Sequence, residues 1–122
     1  MTDREEFKKQ FKKRLYKFTL NLIEFLDKLP KDNASRRIGD QLLRSGTSII
    51  GNYIEGQSAS SKRDFSNYMN TSLKSANESK LWLSILKDSN RAKQENVECL
   101  MNELVEFSNI LASVLLTLRN KR

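Results

Sequence analysis

Apolar residues recur every three or four positions along almost the whole chain, and that period admits one kind of element. They run Phe7, Phe11, Leu15, Phe18, Leu22, Phe25 with Leu26, then Leu29, at intervals of 4, 4, 3, 4, 3 and 4. At 100° per residue these positions fall within roughly 100° of arc, the mark of an amphipathic helix of roughly 25 residues. No β-branched residues alternate with polar ones over a strand length, and only Pro30 and four glycines interrupt the 122 residues. Helix is expected throughout.

The punctuation divides the chain into four. Pro30 disfavours helical geometry at Leu29 and ends the first helix. Asn33 or Ser35 is expected to cap a second helix, with Ile38, Leu42, Ser45, Ile49, Asn52 and Tyr53 on its inner stripe and its end at Gly56 and the polar run that follows. Ser61 before Lys62, Arg63 and Asp64 resembles a capping box with a shorter acid. It opens a third helix whose stripe is Phe65, Tyr68, Met69, Ser72, Ala76, Ser79, Leu83 and Leu86. A linker around Asp88-Ser89-Asn90 leads to a fourth, with Val97, Leu100, Met101, Leu104, Ser108, Leu111, Leu115 and Leu118 inside. The expectation is an all-α, antiparallel up-down-up-down four-helix bundle, one domain over residues 1–122. Small residues inside helix two (Ser45, Ser48, Gly51) and helix three (Ser72, Ala76, Ser79) predict that these two form the tight pair.

Composition removes most chemistry. The chain has no histidine, and its single cysteine, Cys99, has no partner. Disulfides, Cys/His zinc sites, histidine-based relays and the Glu-x-x-His pairs of di-iron bundles are excluded. No catalytic residue, metal or cofactor is expected, and the thiol usage fits a reducing compartment such as the cytoplasm. Charges every few positions over residues 1–20 predict no secretory leader, and no apolar run approaches the ~18 residues of a membrane span. No membrane contact is expected.

Several helices are apolar on more than one side. Leu43, Ile50 and Ile54 lie about 120–160° from Ile38, and Leu81 and Ile85 lie similarly off the third stripe. Eight of the twelve residues from Phe107 to Leu118 are apolar. Contiguous exposed patches of that kind are uncommon on monomers. The pattern predicts a homo-oligomer contacting itself through Leu43, Ile50, Ile54, Leu81, Ile85, Ile110, Val114 and Leu116, and a closed ring is as natural as a two-fold dimer.

Beside the apolar stripe of helix two runs a polar line, Gln41, Arg44, Ser48, Asn52 and Glu55, spaced 3, 4, 4 and 3. In an antiparallel hairpin Glu78 comes near the level of Gln41 and Arg44. The expectation is a structural network of Gln41 and Arg44 with Glu78, and of Ser48 with Asn52, that fixes helix register; an ordinary solvated face is the alternative.

The chain carries 22 Lys and Arg against 15 Asp and Glu, a formal charge of +7. The excess is concentrated in residues 4–17, where Lys9, Lys13 and Lys17 share the face opposite the Phe stripe, with Lys8, Lys12 and Tyr16 beside them, and in the tail Arg119, Lys121 and Arg122. Residues 95–106 hold Glu95, Glu98, Glu103 and Glu106 and no basic residue. Lysines that neutralise phosphates gain affinity by counterion release, so this face is expected to bind an RNA or DNA backbone without reading sequence.

The stretch Leu29-Pro30, then Asp40-Gln41-Leu42-Leu43-Arg44-Ser45-Gly46-Thr47-Ser48-Ile49-Ile50-Gly51-Asn52-Tyr53-Ile54-Glu55-Gly56, resembles the signature of the bacterial four helix bundle proteins. The later Ser72-Leu73…Glu78 is similar to that family's Ser-x-x-Glu on the third helix. Gly46 and Gly51 depart from it, standing where alanine is common. These are proteins encoded in intervening sequences of bacterial large-subunit ribosomal RNA genes, related to accessory proteins of diversity-generating retroelements. The resemblance implies a homopentameric barrel with a basic surface, RNA as ligand, and a reverse transcriptase as a partner of the retroelement relatives. The expected function is that of a non-enzymatic, oligomeric nucleic-acid-binding protein. The alternative is a protein–protein interaction scaffold that binds no nucleic acid.

Overall fold

The computed structural model describes residues 2–120. Four antiparallel helices follow one another: α1 (Asp3–Asp27), α2 (Asn33–Gln57), α3 (Lys62–Asp88) and α4 (Gln94–Asn120). Each touches its two neighbours in chain order, with α1 returning against α4, so the bundle is up-down-up-down as the spacing predicts. No strand occurs among the described residues.

The helix starts are side-chain caps. Thr2 accepts from the amide of Glu5 at 3.1 Å, and Ser61 from that of Asp64 at 3.1 Å, each satisfying an amide the first turn leaves open. At α2 the cap is Asp32, not Asn33 or Ser35. Its carboxylate accepts from the Ser35 amide at 2.9 Å and the Ser35 hydroxyl at 2.8 Å. A carboxylate at that end also opposes the helix dipole, which a neutral cap does only weakly. Asn90, at φ 62°, closes α3 by letting the Arg91 amide reach back to Leu86 at 2.8 Å, a left-handed position that asparagine tolerates.

Phe11, Leu15, Phe18, Leu22, Leu42, Ile49, Met69, Leu83, Leu104, Phe107 and Leu111 form the centre of a single core. Phe107 sits in the middle, edge-on to Phe11 at 5.7 Å and to Phe18 at 5.4 Å. It therefore belongs to the inner stripe of α4 rather than to its surplus. Phe7 departs the other way. It lies at the open end of the bundle, 48% exposed, stacked on Phe11 at 6.0 Å.

The backbones of α2 and α3 approach most closely of the four pairs and those of α1 and α4 least. Small side chains bring α2 and α3 together, and their hydroxyls hydrogen-bond across the seam. Ser45 Oγ lies 2.8 Å from Ser79 Oγ, Ser72 Oγ donates to the Ile49 carbonyl at 2.8 Å, and Ser75 Oγ donates to Ser48 Oγ at 2.9 Å. Gly46 packs against Leu22 of α1 so closely that a Cβ would collide with the leucine side chain.

The expectation that nothing approaches a membrane span needs correcting for α4. Its carboxylates are confined to the first half, so by length and composition the helix reaches what a crossing requires, with mean hydropathy 1.4 over an 18-residue window. The inner stripe from Val97 to Leu111 is bundle core, and core helices meet the same criterion.

Candidate nucleic-acid interface

The basic face of α1 is a trough. Lys8, Lys9, Lys12, Lys13, Tyr16, Lys17 and Leu20 line it together with Tyr53 and Gln57 from the end of α2, enclosing about 520 Å³. The periodicity that buries the phenylalanines forces the lysines into this arrangement, because the residues between core positions can only face outward. No carboxylate lines the trough. None of its five lysines forms an ion pair or hydrogen bond within the described residues. Tyr16, 61% exposed, stands among them.

Arg14 belongs to the same basic run but has another task. Its guanidinium donates to Glu103 at 2.7 Å and to Glu106 at 2.8 Å on α4, and lies 5.6 Å from the centre of the Phe107 ring. The hydrogen bond to Glu103 raises its pKa further, outweighing desolvation. The acidic start of α4 thus neutralises one cation of α1 and leaves the lysines unpaired.

The C-terminal cations do not join the trough. Arg119 lies beside Lys62 of α3 in a separate shallow groove. Lys121 and Arg122 lie outside the described residues. At the open end of the bundle a second cavity, about 310 Å³, is lined by Phe7, Phe11, Tyr53, Phe65, Met69, Val114 and Leu118, with Arg4, Lys8, Gln57, Ser113 and Thr117. Sequence reasoning missed it, because it arises where four helix ends meet and no single helical wheel displays it.

The polar line on α2 is partly tied together. Asn52 Nδ2 donates to Ser48 Oγ at 2.8 Å and to the Ser48 carbonyl at 2.9 Å, and Ser75 extends the pair to α3. Glu78 instead accepts from Trp82 Nε1 at 2.9 Å on its own helix. Gln41, Arg44 and Glu55 are exposed and make no hydrogen bond or ion pair within the described residues. Water solvates them at no desolvation cost, so nothing drives the expected link from Gln41 and Arg44 to Glu78.

Of the residues expected at a subunit contact, Leu43, Ile54, Leu81 and Leu116 are exposed, while Ile50, Ile110 and Val114 lean on the core and Ile85 is half-buried. The structure adds Leu20 and Ile23 on α1. The contact of Gly46 with Leu22 fixes the level of the two helices, which puts Leu20 and Ile23 beside the exposed side of α2 that carries Leu43 and Ile54. Among the described residues, no group of three or more His, Cys, Asp or Glu could hold a metal.

The sequence model described as 23S rRNA-intervening sequence protein matches residues 8–113. The chain belongs to this family. The matched segment takes in all five trough lysines and stops short of Arg119. Among solved structures, the chain is similar to a protein of unknown function from the S23 ribosomal protein family of Bacteroides thetaiotaomicron VPI-5482, at 32% identity and a TM-score of 0.80, over 85% of this chain and 96% of that one. The rRNA-intervening sequence family assignment therefore rests on both sequence and fold. No curated protein matches the chain.

Proposed function

We propose that this member of the rRNA-intervening sequence family is a non-enzymatic RNA-binding protein that works as a homo-oligomer. The observation that carries the reading is the trough of α1, where five lysines without a carboxylate or an internal partner lie along one face. A nucleic-acid backbone carries condensed cations, and unpaired lysines that neutralise its phosphates release them with a gain in entropy. Tyr16 adds an aromatic face on which a base can stack. The contacts available are to phosphate and ring faces, so binding is insensitive to sequence and falls steeply with salt.

Self-association multiplies the patch. The apolar side chains of α1 and α2 that face solvent favour burial against a second subunit, and Leu81 and Leu116 offer further contacts on α3 and α4. A ring, with five subunits as the resemblance implies, would carry several troughs on one particle. Bound RNA held this way could be presented to a reverse transcriptase. Filter binding of single-stranded RNA across a salt series tests the reading, and retention of no polyanion at low salt would favour the scaffold alternative. Light scattering at micromolar concentration tests the assembly, which a monomer mass would exclude.

A further inference from the structure

The aromatic cavity at the open end of the bundle and the lysine trough are continuous, because Lys8, Tyr53 and Gln57 line both. Tyr53 is the informative residue. Its side chain is only 4% exposed, and its hydroxyl has no hydrogen-bond partner within the described residues. Among those residues no fully buried side-chain nitrogen or oxygen lacks a partner. The hydroxyl therefore keeps a small contact with solvent, and the residue lines both clefts. A nearly buried donor and acceptor left open at the edge of an apolar wall suits a ligand with a polar rim.

We infer that this cavity receives one unstacked nucleobase of a single strand whose phosphates lie along the lysine trough. The inference rests on the reading of α1 as an RNA-binding face and names what that face recognises besides charge. Phe7 and Phe11 are stacked 17° from parallel, and half of Phe7 faces solvent, so a flat apolar surface stands ready at the mouth. Tyr53 and Gln57 supply donors and acceptors for a base edge. A volume near 310 Å³ is at the small end of ligand cavities, suited to a ring system rather than a long chain. An acyl chain would also leave the nearly buried Tyr53 hydroxyl without a partner. Arg4 and Lys8 at the rim are placed for the phosphates on either side of the inserted base. A duplex could fill the cavity only by unpairing, so single strands bind preferentially.

The test compares three probes on the full chain: a single-stranded homopolymeric RNA, the same strand with abasic sites, and inorganic polyphosphate. The abasic strand binds the wild type about tenfold more weakly than the intact one, and Phe7→Ala weakens intact RNA by about tenfold while leaving polyphosphate unchanged. Tyr53→Phe weakens intact RNA about threefold. Lys12→Ala weakens RNA and polyphosphate alike. Equal binding of intact and abasic strands by a wild type that binds polyphosphate overturns the base pocket and leaves the lysine reading standing. Failure of the wild type to bind any of the three overturns both. Competition by a saturated fatty acid that disappears in Phe7→Ala would assign the cavity to an amphiphile and also overturn the proposal.

Discussion

Arg14 on α1 donates to Glu103 on α4 at 2.7 Å, and the same nitrogen reaches Glu106 at 2.8 Å. This bridge spans the helix pair whose backbones approach least closely, beside the rings of Phe11, Phe18 and Phe107 that fill the gap. Arg14→Ala should therefore lower stability by about 1 kcal/mol, discounted because the side chain is more than a third exposed. Lys13→Ala should stay within about 0.5 kcal/mol. Urea denaturation measures both, and equal values would mean that the bridge contributes nothing.

Glu103 and Glu78 should differ in the same assay. Glu103 holds Arg14 across a helix interface, whereas Glu78 binds Trp82 within one helix. Glu103→Ala should cost about 1 kcal/mol and Glu78→Ala roughly half that. The sequence suggests the reverse order, since spacing alone puts Glu78 opposite Arg44 and leaves Glu103 on a solvated face.

The two mid-helix glycines of α2 should respond oppositely to alanine. A Cβ at Gly51 meets nothing within 4 Å, so Gly51→Ala should stabilise by about 0.5–1 kcal/mol through helix propensity. At Gly46 the Cβ collides with Leu22, itself fully buried, and overpacking should cost about 1–3 kcal/mol against that gain. Thermal unfolding of the two variants separates them by the sign of the change.

The buried Ser45–Ser79 hydrogen bond predicts non-additivity. Ser79→Ala leaves the Ser45 hydroxyl with only the longer 3.3 Å bond to the Leu42 carbonyl and should cost about 1 kcal/mol. Removing both hydroxyls should cost less than twice that, which a double-mutant cycle by urea denaturation measures.

Asp32 makes α2 sensitive to acid. The amide and hydroxyl of Ser35, then Arg91, hold its carboxyl down to about 2 from an ordinary 3.8. A folded-state value below the unfolded one means that its contribution is complete above pH 4 and is lost as pH falls toward 2. Asp32→Asn should flatten the stability profile over that window, as followed by circular dichroism. An unchanged profile would show that the cap does not couple to folding.

The fold is almost fully legible in the sequence because every helix carries its own period. The 3–4 spacing from Phe11 to Phe25 specifies a buried stripe without reference to the rest of the chain, and Ser61 marks its helix start locally. The lysine trough is legible for the same reason, as the complement of that stripe. What the sequence hides depends on partners from other helices. The choice of Arg14 for Glu103 and the aromatic cavity formed by Phe7, Tyr53 and Phe65 require the levels of neighbouring helices, which helical periodicity does not encode, whereas Trp82 is a local partner four residues from Glu78 on the same helix. Asp32 is a local signal too, one residue ahead of Asn33.

The most direct test of the account is the salt dependence of single-stranded RNA binding by the wild type and by a variant with Lys8, Lys9, Lys12, Lys13 and Lys17 changed to alanine. A plot of log affinity against log salt should be shallower for the variant by about 3.5, near 0.7 for each lost phosphate contact, with weaker binding at every salt concentration. Superimposable lines for the two proteins would contradict the account.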